Sequence, residues 1–274
     1  VSRRRAKRSH FSVYIRLNPF SILLKESDVA TPDPAHKLHL SNFQTLGHPL
    51  DHVIWHALHT RHAGLSLGDG PARRYLPAVA PFAALDDMTP PSYQALAELL
   101  APQERVALFT LEPPELPADF TVEYRNTLIQ MIALEVPSPS GAIAIESLGA
   151  PHVDEMMALI DVAQPGPFAP RTHELGRYLG IRVDGRLAAM CGERMQLDGY
   201  TEISAVCAHP DYRGRGFPAE LMKTLAQSIL ARGDVPFLHV LTENHSAIAL
   251  YRKLGFVERR ALHLTVSGLA IKES

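Results

Sequence analysis

Cysteine is nearly absent from this 274-residue chain: only Cys191 and Cys207 occur, each inside a stretch of strand-forming residues. Two such thiols suit small buried side chains in a reducing compartment better than a disulfide framework, so a cytoplasmic protein is expected. A strong charge of either sign is also missing. With 27 Lys and Arg against 29 Asp and Glu, the formal charge is −2, which argues against nucleic acid as a partner of the whole chain. No apolar run approaches the roughly 20 residues that span a bilayer, so no membrane partner is expected. Residues 11–24 are broken by Arg16, Asn18 and Pro19, which does not fit the uninterrupted core of a signal peptide. What remains is a chain that is 46% apolar, long enough for a sizeable core and for two units.

Composition changes along the chain. Arg3, Arg4, Arg5, Lys7, Arg8, Arg16 and Lys25 all precede the first acidic residue, Glu26. Residues 1–37 are therefore expected to be a basic, poorly ordered tail, with an organellar transit peptide or an RNA-touching arm as the alternatives. Of 22 prolines, 15 lie before Ser140, which implies turns and short elements there. Spacing predicts helices over 50–61 and after Pro90-Pro91, and a strand over 106–111, giving a mixed α/β unit over 38–136. His52, His56, His59 and His62 invite a metal reading, since i, i+4 pairs such as 52 and 56 can share a helix face, but no acid or cysteine cluster accompanies them, so no metal is expected. Gly68-Asp69-Gly70 suits a hairpin turn better than a phosphate loop. The run Pro137-Ser138-Pro139-Ser140-Gly141 is predicted to be the joint between two domains.

Beyond the joint, a strand over 142–146, a helix face of Val153, Met156, Met157 and Ile160, and a strand over 178–183 are expected. That last strand turns at Asp184-Gly185 into 187–194, a good hairpin signal. A further strand, 202–208, leads through His209-Pro210-Asp211-Tyr212 into Arg213-Gly214-Arg215-Gly216. Leu221, Met222, Leu225, Ala226, Ile229 and Leu230 then fall on one helical stripe. Glycines ahead of a helix let backbone amides converge on an anion, and the positive end of the helix dipole adds to the attraction. Such a loop suits a phosphate. A second strand, 237–241, is followed by Asn244, a short helix over 247–254, and Gly255-Phe256.

These two segments resemble the acetyl-coenzyme-A-binding half of the GNAT superfamily of N-acyltransferases. That loop pattern is Gln or Arg, two residues, Gly, one residue, then Gly or Ala. Arg213 to Phe217 fit it and Pro218 departs. A second signature, an Asn ahead of a helix with Leu-Tyr and a closing Leu-Gly-Phe, corresponds to Asn244, Leu250-Tyr251 and Leu254-Gly255-Phe256. The resemblance covers about 142–266 and is similar to glycine N-acyltransferase-like chains with the catalytic module at the C-terminus. It implies a GNAT-like α/β (α+β) fold over 141–274, with a mixed, mostly antiparallel sheet flanked by helices.

The resemblance further implies that acyl-coenzyme A is the co-substrate and that Val206, Cys207, Ala208, Arg213, Gly214, Arg215, Gly216, Phe217, Ala219 and Asn244 contact it. Asn244 could equally cap its helix. Attack by an alkyl ammonium, pKa about 10.4, requires loss of a proton. Glu202, eleven positions before Arg213, stands where histone-type members carry a base, although a solvent-facing or ion-paired strand residue is the other reading. His239 is the second candidate. Tyr251, near the start of the second helix, corresponds to the family's acid for the departing thiolate. The expected reaction is direct acyl transfer, most simply acetyl, to a small-molecule or peptide amine in a ternary complex. A coenzyme-A-binding regulatory or scaffold module without turnover is the alternative.

Overall fold

The computed structural model describes residues 47–270; the basic tail predicted over 1–37 lies outside them. An eight-stranded sheet forms the middle layer. Its strands are β4 (Val106–Thr110), β5 (Phe120–Ile132), β6 (Glu146–Leu148), β7 (Tyr178–Val183), β8 (Arg186–Leu197), β9 (Tyr200–Ala208), β10 (Val235–Leu241) and β11 (Val257–Leu269). Their spatial order is β4-β11-β5-β10-β9-β8-β7-β6. Neighbours run antiparallel except β9 and β10, which are parallel. This is the α+β, mostly antiparallel architecture expected. A second, small sheet joins β1 (Ser66–Leu67), β2 (Ala72–Tyr75) and β3 (Ala83–Leu85), and Gly68-Asp69-Gly70 lies in the turn of the β1–β2 hairpin, as predicted.

Side chains alternate across β10, and the alternation divides the core. Leu238 and Val240 pack with Ile203 against α4 (Phe217–Ala231), whose Leu221, Met222, Leu225, Ala226 and Ile229 are buried. Phe237 faces the other way, into a cluster with Leu50, Val53, Ile54, Ala57 and Leu58 from α1 (Val53–His59) and the turn before it. Farther along that face α3 (Val153–Ala163) buries Met156, Leu159 and Ile160. Helix α2 (Pro90–Glu98) closes the end around β4, and α5 (His245–Lys253) adds Ile248 to the α4 side.

The predicted division at 137–141 does not separate two sheets. β5, which precedes the joint, is hydrogen-bonded between β10 and β11, with Leu238 opposite Met131 and Leu262 opposite Leu128. β4 extends the same sheet beyond β11. The unit expected over 38–136 therefore completes the C-terminal sheet and covers one of its faces. Nor is the joint a free linker. The Ser140 amide and hydroxyl both donate to Glu220 Oε2, at 2.6 and 2.8 Å, and a Cβ on Gly255, at φ +90°, would stand 2.6 Å from the Glu135 carbonyl oxygen. The strand predicted over 142–146 begins only at Glu146.

Two of the four histidines near α1 have local hydrogen-bond partners. His59 Nδ1 lies 2.8 Å from the Trp55 carbonyl oxygen. His62 is buried between the Tyr75 hydroxyl and the Leu175 carbonyl, and burial lowers its pKa to about 4. Among the described residues no group of three or more His, Cys, Asp and Glu is arranged to hold a metal, and no helix is long and apolar enough to cross a membrane.

Candidate functional site

Helix α4 starts where the Arg/Gly loop ends. Gly214 and Gly216 have φ of +77° and +75°, and nothing lies within 4 Å of where a Cβ would stand on either. Backbone conformation, rather than crowding, therefore requires glycine here. The turn before them, Pro210–Tyr212, is capped by His209, whose Nδ1 accepts from the Asp211 amide at 3.3 Å. Buried Phe217 anchors the first helical residue. Among the described residues, the amides of Gly214, Arg215, Gly216, Phe217 and Ala219 donate to no protein group, and Pro218 has no amide hydrogen to offer. Arg213 and Arg215 are exposed without carboxylate partners there, and the Arg215 guanidinium lies 5.2 Å from the Tyr212 ring centroid. Open amides at a helix start, flanked by two free cations, fit a pyrophosphate.

Next to the loop, the sheet opens. β9 and β10 are in register only at Tyr200 with Val235, Thr201 with Pro236, and Glu202 with Phe237. β9 continues to Ala208 and β10 to Leu241, so the facing edges of 203–208 and 238–241 are free of each other. On its other side β9 carries a bulge: the register with β8 shifts between Gly192–Ser204 and Met190–Cys207, and Ala205 takes φ +52°. A bulge re-aims the strand, and it stands beside Val206, Cys207 and Ala208. The free edge can pair with the amide-bearing arm of coenzyme A. Cys207 is 7% exposed and burial pushes its thiol up to about 12, which makes it an inert lining group. Asn244 is exposed and caps α5, its Oδ1 accepting from the Ala247 amide at 3.2 Å.

Glu202 is fully buried, which excludes its solvent-facing reading. Its Oε1 accepts from Arg194 Nη2 at 2.5 Å and lies 2.7 Å from His239 Nδ1. Its Oε2 accepts from Arg194 Nε at 2.8 Å and the Met195 amide at 3.3 Å. Burial works to raise this carboxyl, but the Arg194 guanidinium and the His239 contact outweigh it and bring the pKa down to about 2. His239 is also buried, with Nε2 2.9 Å from Gln130 Nε2 and its ring against Phe109 and Phe237. Tyr251 lies on the opposite face of the sheet. It belongs to the last turn of α5 rather than its start, packs with Val206 and Ala208 against the α4 cluster, and burial pushes its phenol up to about 12.

Sequence reasoning missed Arg194 and Gln130. A basic residue in a strand that leads through a two-residue Asp198-Gly199 turn to an acid on the next strand was the available signal for the first. Gln130 gave none, since a polar residue on a strand looks solvated until the covering helix is known.

The family model described as FR47-like protein matches residues 178–264. The N-alpha-acetyltransferase RimI of Mycobacterium tuberculosis is 36% identical over 115 residues, 38% of this chain and 70% of that protein. A [ribosomal protein bS18]-alanine N-acetyltransferase of Salmonella typhimurium is 36% identical over 98 residues, 34% of this chain and 66% of that protein. A crystal structure from Novosphingobium aromaticivorans, described as an acetyltransferase from the GNAT family, is 41% identical with a TM-score of 0.76, covering 82% of this chain and 100% of that one.

Proposed function

Since the chain belongs to the GNAT family of acyl-coenzyme-A-dependent N-acetyltransferases, we propose that it transfers an acetyl group to the α-amine of a peptide or protein N-terminus. In this reading the amides of Gly214, Arg215, Gly216, Phe217 and Ala219, with Arg213 and Arg215, hold the phosphates. The free edge of β9 at Val206, Cys207 and Ala208 pairs with the pantetheine arm, and Asn244 contacts it from the α5 cap. The thioester lies where β9 and β10 part.

The observation that carries the choice of acceptor is the occupancy of Glu202. A carboxylate has about four lone-pair sites, and four donors surround this one. It has no room to take a proton from an amine, so the role of free base first expected for it passes out of the mechanism. An acceptor that arrives neutral needs no such base. With a pKa of about 7.7–8.0, an α-amine is roughly one-third neutral at about pH 7.5, whereas a lysine ε-amine, at about 10.4, is neutral in roughly one molecule in a thousand. Of the relatives named above, one is an N-alpha-acetyltransferase and another a [ribosomal protein bS18]-alanine N-acetyltransferase, which supports the same choice.

The neutral amine attacks the thioester carbonyl carbon, the carbon–sulfur bond breaks, and the sulfur takes a proton. Tyr251 is suited to supply it, because burial keeps its phenol protonated over the working range. The proton released by the new amide nitrogen passes to solvent, which restores the phenol and leaves free coenzyme A and an N-acetylated product.

The test is release of thiol from acetyl-coenzyme A with two matched peptides, one with a free N-terminus and no lysine, the other N-capped with one lysine. Activity confined to the first is expected, with kcat/KM rising with pH and levelling near the pKa of that amine. Equal use of the capped lysine peptide would overturn the reading. Binding of acetyl-coenzyme A without thiol release from any amine would favour a regulatory coenzyme-A-binding role.

A further inference from the structure

Gln130 stands at the centre of a buried chain of polar groups that the acyl-transfer reading leaves unexplained. It is 0% exposed, on β5. Its Oε1 accepts from Arg259 Nη1 at 2.8 Å, its Nε2 donates to the Leu50 carbonyl at 3.0 Å, and the same Nε2 faces His239 Nε2 at 2.9 Å. Behind it, Arg259 forms an ion pair of 2.6 Å with Asp51, whose other oxygen faces Arg260 at 3.1 Å. Arg259 and Asp51 are both without side-chain exposure.

The chemistry of these groups fixes the direction of every hydrogen bond. A guanidinium only donates, so the amide oxygen of Gln130 must face Arg259. A backbone carbonyl only accepts, so the amide nitrogen must face Leu50. That nitrogen, a donor, is therefore also what His239 Nε2 meets, and Nε2 must accept. The ring proton is thus on Nδ1, where Glu202 Oε1 receives it. Turning the amide over would set two donors against each other at Arg259 and two acceptors at Leu50, each a buried mismatch.

We infer that Gln130 is a specificity-determining positioning residue, which withholds the Nε2 lone pair of His239 from the acceptor amine. His239 lies on β10 two residues past the last β9–β10 pair, on the sheet face away from Tyr251. Its side chain is 1% exposed, enclosed by its contacts with Gln130 and Glu202 and by the Phe109 and Phe237 rings. With Nε2 spent on Gln130 and Nδ1 on Glu202, neither nitrogen is free to remove a proton. The groups that touch the ring are Glu202 from β9, Gln130 from β5 and the rings of Phe109 and Phe237; the charged groups behind them are Arg194 from β8, held by Glu202, and Arg259 from β11 with Asp51 from the turn before α1, held through Gln130. The lock is thus supplied partly by the N-terminal part of the chain, which holds both the Leu50 carbonyl and Asp51. Substrates that need a base are excluded by the same contacts that join that part to the sheet.

This inference rests on the α-amine reading for its effect on acceptor choice, but not for the state of the ring. Long-range proton–nitrogen correlation spectra of the imidazoles, with the His239 signals identified by their loss in His239→Gln, read the ring directly and need no turnover. Wild type is expected to carry its proton on Nδ1 alone at about pH 7.5; a proton on Nε2 would overturn the proposal even if α-amines are acetylated. Gln130→Glu keeps the length and the Arg259 contact while replacing the donor with an acceptor, so Nε2–H should appear. Its absence would show that the amide does not set the tautomer. Gln130→Ala frees Nε2, and the ratio of kcat/KM for the capped lysine peptide to that for the α-amine peptide should rise at least about tenfold, toward the lower range of general-base effects. An unchanged ratio in a folded variant would overturn the specificity role. Should Gln130→Ala fail to fold, the wild-type and Gln130→Glu spectra still decide the matter.

Discussion

Arg194 and Glu202 face each other side by side across the β8–β9 hairpin, joined by two hydrogen bonds of 2.8 and 2.5 Å in a fork-to-carboxylate arrangement. A bulge makes this possible: Glu193 pairs with Ile203 and Gln196 with Thr201, so two residues of β8, Arg194 and Met195, oppose the single residue Glu202. The Arg194 guanidinium also lies 4.9 Å from the Phe82 ring centroid, so the N-terminal part of the chain seals the pair from water. Taking two charges out of water costs several kcal/mol per ion, recovered only where geometry is good and the remaining lone pairs are filled. Here all four are filled.

Glu202→Gln is therefore expected to destabilise the protein by about 3–5 kcal/mol, because Arg194 stays buried with its charge uncompensated. The pH dependence follows from the lowered carboxyl. Its folded pKa of about 2 lies below the unfolded value of about 4.3. Its contribution is thus fully present above the unfolded value and lost as pH falls from there toward 2. Denaturant unfolding at a series of acidic pH values should show wild type losing this increment while the variant, already without it, changes less. Curves that stay parallel across that window would count against the pairing.

The second prediction concerns β5. A fragment of residues 141–274 contains the Arg/Gly loop, Asn244 and Tyr251, yet it lacks the strand that joins β10 to β11. Without β5, both of those strands present unpaired edges and Phe237 loses Ile132 and Leu128 from its cluster. The fragment alone should be largely unfolded by circular dichroism and should not bind acetyl-coenzyme A. Co-expression with residues 38–140 should restore a folded, binding-competent complex. A stable, cofactor-binding fragment 141–274 would show that the sheet closes without β5.

Legibility in the sequence followed how local each feature is. The loop, α4 and the Asp184-Gly185 hairpin are specified by neighbours along the chain: Gly214 and Gly216 need positive φ, and Asp184 and Gly185 take φ of +50° and +77° as a tight hairpin requires. The place of β5 is set by partners more than 100 residues away. Its alternation of Phe120, Leu128 and Ile132 with Thr121, Glu123 and Arg125 was visible, but Asn126 and Gln130 interrupt the apolar face. Gln130 does so as part of the buried polar network, and Asn126 by donating to the Tyr124 hydroxyl and Glu243. Pro137 and Pro139 lie in a segment tied to α4 by hydrogen bonds of Ser138 and Ser140 with Gln227 and Glu220, contacts that proline content alone does not announce. Glu202 was found by its distance from the loop, whereas its inability to act as a base depends on Arg194 and His239, which only the folded sheet brings to it.

Gly216→Ala should separate backbone conformation from side-chain contact in the phosphate cradle. Space is available for the methyl group, so the cost is the left-handed conformation itself, about 1–2 kcal/mol. The loop is expected to relax, with a fall in acetyl-coenzyme A affinity of roughly tenfold by titration calorimetry and a smaller ligand-induced rise in Tm. Pro218→Ala, which restores an amide at the second helical position, should instead raise affinity slightly. If Gly216→Ala bound as tightly as wild type, the amides around it could not be the principal phosphate donors.

Tyr251→Phe tests the assignment of the acid. The ring packs against the α4 cluster and near Phe256, contacts that phenylalanine preserves, so Tm and acetyl-coenzyme A affinity should change little. Losing the proton donor should lower kcat by about 10²-fold to 10⁴-fold. The shape of the pH profile then distinguishes donor from base. Because burial pushes the phenol up to about 12, Tyr251 stays protonated through the range in which the acceptor amine titrates, near about 7.7–8.0. The rise of kcat/KM with pH in wild type should belong to the acceptor, and Tyr251→Phe should lower the plateau without moving the midpoint. A midpoint that shifts with the variant, or moves to another value in wild type while the acceptor is unchanged, would mean that an enzyme group takes the amine proton. Glu202, with all four of its lone-pair positions filled, would then be the last place to look and His239 the first.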